Sequence, residues 1–194
     1  MIAERFNYPT YLVRKKVFKL FGGAFHITDP SGAVVFYSEQ KAFKLREDIR
    51  LYTGEDKQTE ALVIKARQII DFSAAYDVVD PTTNEKVGAL KRKGFKSTFL
   101  KDEWIFMNQV DQEIGTIQED NMFLALVRRF LVNLIPQGYH GDIGGREVCT
   151  FKQNFNPFVT KITVDFSQDF NRLLDRRLGI AAAVLLCAIE GKQT

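Results

Sequence analysis

Leu178–Ile189 reads LGIAAAVLLCAI, and this stretch is apolar on every face of a helix. At about 1.5 Å per residue such a helix spans roughly 18 Å, well short of the ~30 Å hydrocarbon core of a bilayer. A helix without a polar face must be enclosed by other parts of the protein. We therefore predict a buried helix from about residue 172 to about residue 190, and not a membrane anchor.

Most of the chain before this helix has the pattern of β-strands. Apolar and polar side chains alternate strictly in residues 161–166, so Ile162, Val164 and Phe166 are expected to face one side of a sheet. Strand–turn–strand units recur at residues 25–37, 76–90 and 104–117, and further strands are predicted at residues 11–19, 49–53, 61–67 and 148–153. Together, the strands and the apolar helix predict a sheet wrapped around a central helix.

Two segments between the strands have a different character. Residues 122–134 carry apolar side chains at the spacing of one helix face, which predicts a second, amphipathic helix. Residues 138–145 are rich in glycine but match no phosphate-binding motif, and we interpret them as a flexible hairpin connection. At the start of the final helix, Asp169 or Asn171 is expected to accept the first amide hydrogen bonds.

The composition is that of one globular domain spanning residues 1–194. Phe occurs 17 times against one Trp, which favours an aromatic-rich β core. The net charge of +3 permits contact with anionic lipid or nucleic acid without requiring it. Because no secretory signal, glycosylation sequon or membrane span is evident, we expect a cytoplasmic protein, with peripheral membrane contact as an additional possibility.

We find no catalytic, metal-binding or cofactor-binding constellation in the sequence. Cys149 and Cys187 are too few for a disulfide framework or a four-ligand zinc site. His26 and His140 have neither a cysteine nor a paired carboxylate at ligand spacing. We therefore predict a non-enzymatic protein without a metal or a cofactor.

Two basic clusters are the strongest functional lead in the sequence. Their members are Arg14, Lys15 and Lys16, followed by Lys19, and then Lys91, Arg92, Lys93 and Lys96 around an aromatic residue. On a strand, Lys91 and Lys93 share one face while Arg92 points to the other. Such cations next to an exposed aromatic are suited to lipid phosphates or nucleic acid. The alternative is that they form the solvated outer faces of a closed barrel, where lysine also discourages edge pairing.

The order of these features resembles the LURP-one-related family, which belongs with the tubby C-terminal domain and the phospholipid scramblases. The resemblance is carried by GGAFHI at 22–27, VGALKRK at 87–93, DEW at 102–104, IGTI at 114–117 and the final helix. It covers residues 11–191 and implies a mainly β fold. In that fold a closed antiparallel barrel of about twelve strands encloses a central hydrophobic C-terminal helix.

The resemblance also implies a non-enzymatic binding module, either for anionic membrane lipid with phosphoinositide-like headgroups or for a protein partner. Scramblase-like lipid translocation is the alternative. Scramblases carry an acidic calcium-binding stretch before the final helix, whereas here residues 165–171 supply only Asp165 and Asp169. Nucleic-acid binding is a second alternative, for which a net charge of +3 is slight support.

Overall fold

The computed structural model describes residues 3–18, 22–40, 48–67, 74–93, 103–120, 138–154 and 159–189. Within these ranges the regular structure consists of strands and a final helix, after one 3-10 turn at Ala3–Phe6. The elements are β1 (Thr10–Phe18), β2 (Gly22–Thr28), β3 (Val34–Gln40), β4 (Ile49–Tyr52), β5 (Glu60–Ala66), β6 (Ala75–Asp80), β7 (Glu85–Arg92), β8 (Glu103–Met107), β9 (Glu113–Glu119), β10 (Gly138–Ile143), β11 (Arg146–Asn154), β12 (Thr160–Asp165) and α1 (Arg176–Ile189).

The strands form one closed antiparallel barrel. Each strand pairs with its neighbours in sequence, and β1 pairs with β12 to complete the ring, with Thr10 opposite Asp165 and Arg14 opposite Lys161. Closure satisfies the backbone groups that an open sheet would leave unpaired at its edges. The predicted fold class, a closed barrel of about twelve antiparallel strands, is confirmed.

Side chains alternate between the barrel interior and its outer surface. On β12, Ile162 and Val164 are buried, as is Phe166 directly after the strand, in agreement with the predicted alternation. Large aromatic side chains contribute much of the interior, and those that are almost fully enclosed are Tyr11, Phe25, Phe36, Trp104, Phe106, Tyr139, Phe151 and Phe166. The frequency of Phe in the sequence thus corresponds to an aromatic lining of the barrel.

Helix α1 occupies the centre of the barrel. Its apolar side chains from Leu178 to Ala188 are no more than 2% exposed, and the helix packs against β1, β6, β7 and β12. The predicted enclosure of the apolar stretch is therefore confirmed. No helix in the described ranges is long and apolar enough to cross a bilayer.

The helix begins at Arg176, later than the predicted residue 172. Asp175 caps it, because its Oδ1 accepts a hydrogen bond from the amide of Arg177 at 2.9 Å. The expectation that Asp169 or Asn171 caps the helix is wrong. Asp169 is buried and stabilises the preceding turn instead, accepting the amide of Leu173 at 2.8 Å.

Residues 138–143 form strand β10, and the prediction of a flexible connection is wrong there. Tyr139 is buried in the core. A Cβ atom at Gly141 would lie 2.5 Å from Sγ of Cys149, so glycine is needed for close packing of two strands and not for flexibility. The helix predicted at residues 122–134 lies outside the described residues.

The barrel has two distinct ends. At one end, α1 begins directly after its capping residue Asp175, and the turns 29–33, 53–59, 81–84, 108–112 and 144–145 connect the strands. At the other end, the helix reaches Ala188 beside the last residues of β1 and the first residues of β12. We call these the Asp175 end and the Ala188 end.

Candidate functional site

Strand β1 divides the first basic cluster between two faces. Val13 and Lys15 are buried, with Lys15 only 3% exposed, whereas Arg14 and Lys16 are half-buried on the outer surface. This is the ordinary alternation of a strand, in which neighbouring side chains point to opposite sides. The three consecutive cations of the sequence therefore do not form one surface.

Lys15 lies inside the barrel at the Ala188 end. Its Nζ donates a hydrogen bond to the carbonyl oxygen of Ala188 at 3.2 Å and lies 5.9 Å from the centre of the Phe25 ring. A cation at this position faces the carbonyl groups of the last helical turn, where the helix dipole is negative. Lys15 thus belongs to the core, and the prediction that it is part of an outer basic surface is wrong. The alternation of β1 was the signal that could have separated it from its neighbours.

Strand pairing adds two lysines to the outer surface that sequence reasoning missed. Lys161 on β12 lies directly opposite Arg14, and Lys152 on β11 lies opposite Thr163, two residues along β12 from Lys161. The Cβ atoms of directly opposite residues on neighbouring strands lie about 5 Å apart, and diagonal neighbours lie about 7–8 Å apart. Arg14, Lys16, Lys152 and Lys161 therefore form one patch across three adjacent strands, which we call the basic face.

The basic face carries positive charge that the described residues do not neutralise. Within those residues, none of its four cations forms an ion pair with a carboxylate, and Nε of Arg14 is buried without a hydrogen-bond acceptor. Like charges placed directly opposite each other on a sheet are destabilising. The Arg14–Lys161 pair is therefore an arrangement that an external anion would stabilise.

In contrast to the basic face, another part of the outer surface carries cations that are paired with carboxylates. On β5 to β7 and the turn 108–112, Lys86 lies 3.1 Å from Asp77 and 2.8 Å from Asp111, and Arg67 is also paired with both carboxylates. Hydrogen bonds from Arg67, ahead of the opposing effect of burial, hold the pKa of Asp77 below its ordinary value. In this network each cation has an acidic partner, whereas the cations of the basic face have none among the residues that the structure describes.

The second predicted cluster is also divided. Lys91 lies on the outer surface, opposite Ile105, while Arg92 pairs in register with the buried Trp104 and faces the interior. Lys93 forms an ion pair of 2.7 Å with Glu103. Two members of the predicted clusters, Lys19 and Lys96, lie outside the described residues.

The two clusters lie on opposite sides of the barrel. In the closed order of twelve strands, β7 is six positions from β1 in either direction. The outward side chains of Arg14 and Lys91 therefore point away from each other, and one flat ligand cannot contact both. The fold does not bring the two sequence clusters together into a single site.

A cleft of about 490 Å³ opens at the Asp175 end of the barrel. Its lining includes Thr82, Thr83, Arg172, Arg176 and Arg177. Two of these arginines already have partners. Nη1 of Arg177 lies 3.0 Å from Asp80 and its Nη2 2.7 Å from Asp175, and Arg176 lies 3.3 Å from Asp169 with its guanidinium 4.5 Å from the Phe166 ring. Most of the positive charge in the cleft is thus neutralised internally.

Each histidine lies beside a carboxylate, and both cysteines are buried. Nε2 of His26 lies 3.1 Å from Glu55, and Nδ1 of His140 lies 2.8 Å from Asp120. Cys149 and Cys187 are buried free thiols, and burial raises the pKa of Cys187 to about 12. Among the described residues, no three His, Cys, Asp or Glu side chains lie close enough together to hold a metal ion.

No protein-family model, curated protein or solved structure matches this chain.

Proposed function

We propose that this chain is a non-enzymatic binding module that holds the headgroups of an anionic membrane on its basic face. The observation that carries the proposal is the set of four outward cations on three adjacent strands, with Arg14 directly opposite Lys161 and no carboxylate partner among the described residues. A rigid closed barrel keeps these charges at fixed positions. A layer of lipid phosphates supplies negative charge opposite these cations.

The expected affinity is modest. A lysine or arginine near an anionic membrane surface contributes about 1 kcal/mol, so four contribute roughly 4 kcal/mol, which corresponds to a dissociation constant of about 1 mM. Binding of this kind is reversible and falls as salt screens the charges. The basic face by itself therefore supports peripheral contact with a membrane and not a permanent anchor.

Kinship with the LURP-one-related family is a further part of the proposal. The closed barrel and its central apolar helix support it. A binding role is favoured over lipid translocation because the oxygen ligands of the segment before α1 are engaged within the protein. Asp169 accepts amide hydrogen bonds, and Asp165 accepts the amide of Ser167 at 2.8 Å.

Co-sedimentation with vesicles tests the proposal. The protein should pellet with phosphatidylcholine vesicles that contain phosphatidylserine, and less with phosphatidylcholine alone, and the difference should shrink between ~0.1 M and ~0.5 M salt. Arg14→Glu or Lys161→Glu should each lower the affinity about tenfold or more, because each reverses one charge. The matched control is Lys65→Glu, which changes the same charge at an exposed position of β5 on another side of the barrel.

Four results would count against the basic face as a lipid site. Equal pelleting from neutral and acidic vesicles would remove the electrostatic basis. A loss with Lys65→Glu as large as with Arg14→Glu would mean that net charge and not this face is responsible. Lys91→Glu tests the second sequence cluster, and a loss confined to that variant would move the site to β7. Salt-dependent binding to single-stranded RNA without binding to acidic vesicles would replace the lipid by nucleic acid.

A further inference from the structure

We infer that the segment between β12 and α1 inserts Phe170 into the interface of the membrane that the basic face binds, an inference that rests on the proposed function. We call residues 167–174 the Phe170 loop. Four large apolar side chains are exposed among the described residues, namely Val34, Val110, Phe170 and Leu173. All four lie at the Asp175 end, and two of them are in this loop.

Phe170 is the most exposed of these side chains, with 84% of its surface accessible. The loop that carries it is held in place by internal hydrogen bonds. The buried carboxylate of Asp169 accepts the amides of Leu173 at 2.8 Å and Leu174 at 3.1 Å, and Leu174 itself is packed in the core. The aromatic ring is thus presented to the outside by a built turn, and a partner that buries it does not first have to order the loop.

The loop is continuous with the basic face. It follows β12, and Nη1 of Arg172 lies 3.3 Å from Oδ1 of Asn7, just before β1. The same two strands carry Lys161 and Arg14. From Lys161 to the end of β12 at Asp165 the distance is about 13 Å, so the loop extends the basic face toward the Asp175 end. Asp165 is an acidic side chain between Lys161 and the Phe170 loop, and its carboxylate accepts a hydrogen bond from the amide of Ser167.

The chemistry of the loop fits the water–hydrocarbon boundary of a bilayer. An aromatic and a leucine stand beside Arg172 and several uncharged polar side chains, and this mixture of apolar and polar groups suits the headgroup level of a membrane. Membrane association that uses one weak contact becomes stable when a second contact is added. The Phe170 loop supplies an apolar contact on the side of the barrel where the basic face supplies the electrostatic one.

An environment-sensitive fluorophore at residue 170 tests this arrangement. Both native cysteines are buried, so Phe170→Cys offers one accessible thiol for labelling with an NBD maleimide. The matched control is Val110→Cys in the β8–β9 turn, at 72% exposure, where β9 is three strands and β8 four strands around the ring from β12. With vesicles that contain phosphatidylserine, the label at residue 170 should brighten severalfold and shift to the blue, whereas the label at residue 110 should stay in water.

An unlabelled variant provides an independent measurement. Phe170→Ser should lower vesicle affinity about tenfold, since it removes the buried apolar area of one large side chain. Val110→Ser is the control and should change the affinity less than twofold. Because Phe170 is exposed, its replacement should leave the urea unfolding midpoint unchanged, which separates a membrane effect from a folding effect.

The results distinguish this inference from the proposed function. Charge-dependent pelleting with no change in the label at residue 170 would overturn the insertion and leave the basic face standing. Brightening on neutral and acidic vesicles alike, with no effect of Arg14→Glu, would support the insertion and overturn the headgroup site. An equal response of the label at residue 110 would overturn the inference that the Phe170 loop, and not the β8–β9 turn, enters the membrane. Absence of pelleting with either vesicle type, with both labels silent, would overturn both.

Discussion

Lys15 and Ala188 join the first strand to the last turn of the central helix. The ammonium group of Lys15 donates a hydrogen bond of 3.2 Å to the backbone carbonyl of Ala188, and the lysine side chain is only 3% exposed. The last carbonyl groups of a helix have no partner within the helix, and they carry the negative end of its dipole. A buried cation at this position donates a hydrogen bond to one of these carbonyl groups and also interacts favourably with the negative end of the helix dipole.

We predict that Lys15→Met destabilises the protein by about 1–3 kcal/mol, because the carbonyl of Ala188 loses its charged donor in a buried setting. Urea unfolding at pH 7 measures the change. The matched control is Lys16→Met, one residue further along β1, where the side chain is on the outer surface and the expected change is within about 0.5 kcal/mol. Equal free energies of unfolding for the two variants would contradict a structural role for Lys15.

The central helix should not tolerate a charge. Leu185→Asp and Ala182→Asp each place a carboxylate at a position that is at most 2% exposed, and we expect either variant to lose more than about 4 kcal/mol or to fail to fold. Thermal melting followed by circular dichroism provides the measurement. Leu173→Asp makes the same chemical change at an exposed position and should melt within a few degrees of the parent. A Leu185→Asp variant that melts like the parent would mean that α1 is not enclosed.

The ion pairs at the start of α1 should make stability depend on pH. Burial by itself would raise the pKa of Asp80, but hydrogen bonds from Thr82 and Arg177 outweigh it and hold that pKa below its ordinary value of 3.8. A carboxylate whose pKa is lower in the folded state stabilises the protein fully above about pH 5, and this contribution is lost as the pH falls through the folded-state pKa.

We therefore expect Asp80→Asn to lower the free energy of unfolding by about 1–3 kcal/mol at pH 7, with a smaller difference from the parent near pH 3. Urea titrations at a series of pH values measure both effects. Asp56→Asn, in the exposed turn 53–59, is the control and should follow the parent within about 0.5 kcal/mol. A difference between Asp80→Asn and the parent that grows toward low pH would contradict the assignment.

Gly179 is expected to resist replacement by alanine. Alanine favours a helix interior by about 1 kcal/mol over glycine. A Cβ atom at this position, however, would lie 2.6 Å from Cζ of the buried Phe166 ring and would force that ring to move. We predict that Gly179→Ala is destabilising in urea unfolding. In a Phe166→Leu background, where the ring is absent, the same change should cost less or become stabilising. An effect of the same size in both backgrounds would exclude the ring as the cause.

The sequence predicted the strands and the helix well because their patterns are local. Alternation in residues 161–166 is a property of successive side chains, and it matched the buried and exposed faces of β12. β10 was missed because glycine was interpreted as a loop signal. At Gly141 the small residue is required by Sγ of Cys149 on the neighbouring strand, a contact that no local pattern contains.

The sequence by itself determined that the final helix is enclosed by the rest of the protein. Twelve residues that are apolar on every helical face cannot be stable in water, and the many strands predicted before them can cover them. Only the tertiary structure decided which cations share a surface. Strand pairing places Lys161 beside Arg14 across 147 positions of sequence, while alternation turns Lys15, next to Arg14 in the chain, into the core. The physical reason is that alternation is a local property of one strand, whereas register is fixed by the closing of the whole ring.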